Sequence, residues 1–401
     1  GLPAGSGTGR IWIHALSVGE VKSALPLVRA LSEKKTGGGS GSGLVFTAST
    51  RTGYQMARSL FLDPQAPLVD QVRYFPLDLW FSVNRAIRDI DPDLAVLVET
   101  DLWPYFLYAM KCRNIPVVLV NARLSLRSLS GYSRVRPFSI FFFSLISRIL
   151  AQTDQDRHRY LKLGLSPEQV TVTGNMKFDQ PFDPMGPEQA AALKAEAGIA
   201  DSGLVFTAGS THEGEEAVVM DSFAVLRKTA ADAVLVLAPR DPGRSKGLMA
   251  AARKKGFDPV RFSRAAETQP GACPDMVLVD RMGVLARLYA VSDLVFIGGS
   301  LVNQGGHNPL EAAACAKPVF FGPDMTDFDQ VSALLLDSGG SLRVETGGML
   351  TEKLIRLARD PGLRRRMGDK NRAVFDAHQG SVAAIVSRLD RLMDRQGSAH
   401  V

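Results

Sequence analysis

The residue types best suited to chemistry cluster in a few short turns. Ser17-Val18-Gly19-Glu20 follows an apolar run and opens an amphipathic stretch, which predicts a carboxylate at the start of a helix. Glu20 is there either a general base for an attacking hydroxyl or a first-turn acid that complements the helix dipole. Gly19 is expected to make the tight turn that places it. The turn GSTHEGEE (209–216) sets Ser210, Thr211 and His212 before a second helix. Its amides and hydroxyls suit a phosphate, or its hydroxyls serve only as caps with an acid three residues on. PRDPGR (239–244) puts Arg240 after a strand, as a fork for carboxylate or phosphate or as a plain surface arginine. Arg51 in STRTG and Lys177 in NMKFD carry the same ambiguity.

GGSLVNQGGHNPLEAAA (298–314) is the most informative segment, with four glycines, His307, Asn308 and Glu311 in one strand-to-helix loop. Gly305 and Gly306 are expected to offer backbone N–H groups to an anion, with Asn308 capping a helix that starts at Pro309. Glu311 then either closes a capping box or accepts hydrogen bonds from ribose hydroxyls. Asp327-Phe328-Asp329 matches a metal and nucleotide motif of some sugar transferases, but three residues read better as helix capping. His14, His158 and His378 read as structural, and no His, Cys and acid spacing predicts a metal. There is no G-x-S-x-G elbow and no Walker loop. Basic residues do not interleave with aromatics, which argues against nucleic acid as a partner.

These turns need a frame that brings strand ends together. Apolar runs alternate with amphipathic stretches, the pattern of parallel strands joined by helices. Strands are expected at 11–16, 44–49, 94–98, 116–120 and 147–152, and again at 204–209, 233–238, 276–280, 294–299 and 318–321. The expected class is α/β, two Rossmann-like βαβ domains facing a central cleft that takes the carboxyl ends of both sheets. Residues 174–190, with three prolines and two glycines, read as the linker. The stretch 347–396 reads as helical, its last part crossing back to the first domain.

A chain of 401 residues suits two such domains, and 45% hydrophobic with 22% charged residues excludes a disordered chain. Three cysteines, Cys112, Cys273 and Cys315, lack the spacing of a disulfide framework or zinc site. The net charge of +6 favours anionic partners. No apolar run reaches the roughly 20 residues that span a bilayer. The basic and aromatic stretch 132–150, like 102–110, is either a membrane-facing surface or, the favoured reading for IFFFSLI, a buried crossover helix. GGGSGSG (37–43) has linker composition and reads as an engineered replacement of a native segment.

WIHALSVGE, ETDLWP, NARLS, GNMKFD, GSTHEGEE, LAPRDPGR and GGSLVNQGGHNPLEAAA, in this order over residues 10–330, resemble the 3-deoxy-D-manno-octulosonic acid (Kdo) transferases of lipopolysaccharide biosynthesis. The resemblance implies a GT-B type fold with an acceptor-binding domain over 1–176, a linker over 177–190 and a CMP-Kdo-binding domain over 191–380. Residues 381–401 would form the helix that crosses back. It implies a metal-independent, inverting glycosyltransferase without cofactor, with CMP-Kdo as donor and a lipid A precursor (lipid IVA) as acceptor. The implied location is the cytoplasmic face of the bacterial inner membrane, in contact with that membrane surface, and the family's hydrophobic N-terminal anchor would precede Gly1. Glu20 would be the base, with Glu99 of ETDLWP orienting it or the acceptor. Ser210, Thr211, His212, Arg240, Gly305, Gly306, His307, Asn308 and Glu311 would hold the donor. Ser17, Gly19, Arg51, Arg123 and Lys177 would meet the acceptor or the Kdo carboxylate. A sugar-nucleotide 2-epimerase shares the architecture and is the rival reading.

Overall fold

Runs of Val, Ile, Leu and Ala that tolerate water on neither face become the buried strands of two parallel sheets. The computed structural model describes residues 9–36, 43–99, 102–180, 182–200, 203–267 and 274–397; residues 37–42 of the glycine-serine stretch, and Cys273, lie outside these. The chain divides into two units, Gly1–Pro181 with His378–Val401, and Phe182–Ala377.

The first unit holds β1 (Ile11–Ala15), β2 (Leu44–Ala48), β3 (Gln71–Tyr74), β4 (Leu94–Val98), β5 (Val117–Ala122), β6 (Arg148–Ala151) and β7 (Val170–Val172), in the order β3-β2-β1-β4-β5-β6-β7. The second holds β8 (Val205–Thr211), β9 (Val234–Pro239), β10 (Pro259–Arg261), β11 (Met276–Leu278), β12 (Leu294–Ile297), β13 (Val319–Phe321) and β14 (Ser341–Arg343), in the order β10-β11-β9-β8-β12-β13-β14. Each sheet is therefore Rossmann-like, and each has seven strands where the sequence pattern showed five. The four additions, β3, β7, β10 and β14, are all edge strands.

Alternate residues of each strand feed opposite cores. Ile11, Ile13 and Ala15 pack with Val21, Ala24 and Val28 of helix Val18–Thr36, while Trp12 joins Phe106 and Met110 on the other face. In the second unit, Phe206 and Ala208 pack with Val219, Phe223 and Leu354.

The stretch expected as a linker is structured at both ends: Phe178 is buried, and a helix runs from Pro187 to Glu196. Helix Ser381–Gly397 lays Val382, Ile385 and Leu389 into the same core as helix Val18–Thr36. The Asp179 carboxylate accepts from the backbone amides of Gly380 (2.6 Å) and Val382 (2.5 Å), fixing the entry to that helix. Ile385→Ala is expected to lower the stability of the first unit by about 2–5 kcal/mol. All three tryptophans, Trp12, Trp80 and Trp103, lie in that unit, so a urea titration followed by intrinsic fluorescence reads it selectively. An unshifted midpoint would show the helix to be dispensable.

Candidate functional site

In a doubly wound sheet, the loops on either side of the strand where the winding reverses splay apart and leave room for a ligand at the carboxyl ends. In the first unit that point lies between neighbours β1 and β4, and in the second between β8 and β12. The turns holding Glu20 and Glu99 flank the first. GSTHEGEE and GGSLVNQGGHN flank the second.

Glu20 stands in the first turn of helix Val18–Thr36, and its Oε2 accepts from the backbone N–H of Leu16 at 2.5 Å. That bond fixes the carboxylate over the end of β1. Gly19 makes no special turn: it sits inside the helix, and an added Cβ would lie 3.9 Å from Ser17 Oγ, so a side chain would fit. The carbonyl of Ser17 starts the helix by accepting from Val21 N–H at 2.9 Å. Glu99 has φ 69°, a left-handed conformation costly for a side-chain-bearing residue, and its Oε1 accepts from Ser23 Oγ at 3.3 Å. Ser23 lies on the same helix as Glu20. His14 is enclosed, bonded to the Thr47 carbonyl at 3.1 Å and stacked on Phe75 at 3.8 Å.

Sequence reasoning missed a buried amide network at the ends of β5 to β7. Asn121, with φ 52° beside a register shift in β5, accepts from Met176 N–H through Oδ1 at 3.0 Å. Its carbonyl accepts from Gln152 Nε2 (2.9 Å), and Gln152 Oε1 accepts from Asn175 Nδ2 (3.2 Å). Asn121 and Asn175 stood in NARLS and GNMKFD, two residues before Arg123 and Lys177 respectively. The network thus fixes the backbone that carries both half-buried cations. Arg51 is exposed, at the start of a helix capped by Thr50.

In the second unit the expected phosphate cradle is overturned. The amide of Gly305 donates to Asp324 Oδ2 (2.7 Å), that of Gly306 to the Gly299 carbonyl (3.0 Å) and that of His307 to the Gly298 carbonyl (3.1 Å). Those donors are spent inside the protein. The Gly305 amide also holds the Asp324 carboxyl below its usual range. Both glycines serve packing instead: at φ 78° and 68°, a Cβ on Gly305 would meet Asp327 at 2.9 Å and one on Gly306 would meet Met325 at 2.4 Å. Asp327 therefore backs the loop, and the helix Asp329–Asp337 starts without a side-chain cap.

Thr211 is likewise corrected. It ends β8 rather than beginning a helix, and its hydroxyl is fully buried with no hydrogen-bond partner among the described residues. Ser210 is half-buried at φ 56°, bulging where the β8–β9 register shifts. Arg240 donates its backbone N–H to the Thr211 carbonyl (2.9 Å), which ties its backbone to this turn; the residue is half-buried, and its guanidinium has no protein partner among the described residues. His212 and His307 meet edge to edge, with ring centres 5.0 Å apart and Nε2 atoms 2.7 Å apart.

The short helix here runs Leu310–Ala314 with Pro309, not Asn308, at its N-cap; Asn308 Oδ1 accepts from Leu310 N–H at 3.0 Å just ahead of it, and its Nδ2 lies 3.5 Å from Glu311 Oε1. Burial pushes the Glu311 carboxyl up, opposed by the Asn308 amide. The folded protein therefore keeps a proton that the unfolded chain releases, so stability from this group falls as pH rises above the ordinary glutamate range. Glu311→Gln should flatten that decline on the alkaline side of the ordinary glutamate range. Thermal midpoints across this range check it, and parallel curves for both proteins would refute it.

The apolar surface also departs from expectation. IFFFSLI is no fully buried crossover helix: Phe143 and Ile146 turn into the core, while Phe141 is 50% exposed and Phe138, just ahead of the segment, 70% exposed. Leu77, Trp80 and Phe81, which the sequence did not single out, are exposed as well. By contrast, 102–110 sends Phe106, Leu107 and Met110 inward.

The family model described as 3-Deoxy-D-manno-octulosonic-acid transferase (kdotransferase) matches residues 2–180. A 3-deoxy-D-manno-octulosonic acid transferase of Haemophilus influenzae is 33% identical over 386 residues, covering 96% of this chain and 87% of the relative. One of Bordetella pertussis is 30% identical, covering 95% and 86%. Among solved structures, the UDP-GlcNAc 2-epimerase of Neisseria meningitidis bound to UDP-GlcNAc aligns with TM-score 0.61 at 16% identity, covering 95% of this chain and all of its own. A glycosyltransferase from Rickettsia africae aligns at TM-score 0.58 and 11% identity, covering 96% and 98%. These last two share the fold, which is of GT-B type.

Proposed function

The chain belongs to the 3-deoxy-D-manno-octulosonic acid (Kdo) transferase family, and we propose that it is a metal-independent, inverting glycosyltransferase that moves Kdo from CMP-Kdo to lipid IVA. The observation that carries the chemistry is the Glu20 carboxylate held by the Leu16 amide at the winding reversal of the first sheet. Glu20 takes the proton of an acceptor hydroxyl, whose oxygen attacks the anomeric carbon of Kdo. The bond from that carbon to the phosphate oxygen breaks, and CMP leaves with the electron pair. Such displacement passes through an oxocarbenium-like state, so the departing phosphate needs positive charge and N–H donors rather than a covalent nucleophile.

Arg240, Ser210, His212 and His307 supply that environment. Asn308 and Glu311 hold the ribose, while Arg123, Lys177 and Arg51 serve the Kdo carboxylate and acceptor phosphates. The exposed Trp80, Phe81, Phe138 and Phe141 suit acyl chains at a membrane surface, which supports work at the cytoplasmic face of the inner membrane. CMP release should depend strictly on the lipid acceptor and persist in excess chelator. Acceptor-independent release, or interconversion of a UDP-sugar, would favour the epimerase reading.

A further inference from the structure

Glu215 is 0% exposed, yet no cation pairs with it among the described residues. Its charge is met by the backbone alone. Oε2 accepts from the amides of His212 (2.9 Å) and Gly299 (2.7 Å), and Oε1 from those of Ser300 (3.0 Å) and Leu301 (2.9 Å). A buried carboxylate needs such donors to offset lost hydration. Here they come from two loops more than 80 residues apart in sequence, on either side of the β8–β12 reversal.

Both loops carry a histidine, and the carboxylate grips each loop close to its ring. His212 is itself a donor to Glu215. Gly299, another donor, lies against the ring of His307: a Cβ there would come 3.1 Å from Cδ2. The two rings lie nearly parallel, at 9°, with Nε2 facing Nε2 at 2.7 Å. Since a hydrogen bond needs one donor and one acceptor, a single proton lies between them, and one imidazole is N–H at Nε2 while the other is not.

We propose that Glu215 is a positioning residue for the donor phosphate: by clamping the two loops together it holds His212 and His307 as one proton-sharing pair at the CMP-Kdo site. The proposal rests on the donor-site assignment above. Placement by a rigid internal carboxylate explains how two loop side chains keep a fixed geometry without help from a bound ligand.

The test compares the full chain with Glu215→Gln and Glu215→Asp. Glutamine keeps one oxygen but turns an NH2 group toward amides that are themselves donors. Its expected effect is a fall of about tenfold or more in kcat/KM for CMP-Kdo, with the acceptor KM within about twofold. Aspartate should restore part of the loss. In parallel, 15N spectra of selectively labelled histidine should show one protonated and one unprotonated Nε2 in the native pair, and loss of that inequivalence in the glutamine variant. A folded Glu215→Gln protein with native histidine signals and native donor kcat/KM would overturn the proposal. Should glutamine prevent folding, the aspartate variant carries the same two readouts. If the native chain does not turn over CMP-Kdo, the functional reading fails, while the histidine signals still decide the positioning.

Discussion

Glu20→Gln is expected to cut turnover of CMP-Kdo by about 100-fold or more, the scale of a lost general base, with donor KM little changed. Glutamine is the informative replacement because its carbonyl oxygen still accepts from the Leu16 amide, as the carboxylate does at 2.5 Å. The start of helix Val18–Thr36 then stays intact while proton affinity disappears. A helix-start role alone would leave turnover near native in this variant. Steady-state rates at saturating acceptor, with calorimetric titration of CMP as a control on the donor side, separate these outcomes.

Gly298→Ala is expected to disable the donor loops. An added Cβ would come 2.4 Å from the Ser210 carbonyl oxygen and 2.6 Å from Thr211 Cα, both backbone atoms with no flexible end to yield. Gly298 also donates to the Gly209 carbonyl (2.8 Å) and accepts from the His307 amide (3.1 Å), so relief must pull β8 from β12 or shift His307. Overpacking of this kind costs about 1–3 kcal/mol, and displacement of the loops by an ångström can cost about 100-fold in rate. Gly247→Ala is the matched control, since nothing lies within 4 Å of its added Cβ in helix Ser245–Lys254. Helix propensity makes that change neutral or stabilising. Native stability and donor kcat/KM in Gly298→Ala would show that the loops do not need their present contact.

The interior of each sheet was legible because a strand buried on both faces must be apolar throughout, as LAVLV of β4 and LVFI of β12 are. The edges were not. QVRY of β3 and SLR of β14 are short and expose part of their length, so their sequences carry polar residues that no hydrophobic pattern marks as strand. The site divides similarly. Glu20 was legible from a local signal, an acid after a strand and before a helix. The glycines of 298–306 were visible, but their use was not, since Gly209, Glu215 and Asp324, which claim the amides of Gly298, Gly299 and Gly305, lie in other segments. Glu215 went unnoticed inside GSTHEGEE because its partners, Gly299 to Leu301, follow more than 80 residues later. Asn121 and Asn175 were hidden for the same reason.

Mass spectrometry of lipid IVA after incubation with the full chain and CMP-Kdo tests the central proposal most directly. The expected result is an acceptor heavier by one or more Kdo residues, with an equal amount of CMP released and neither change in Glu20→Gln. Unmodified acceptor in the presence of folded chain and intact donor would contradict it.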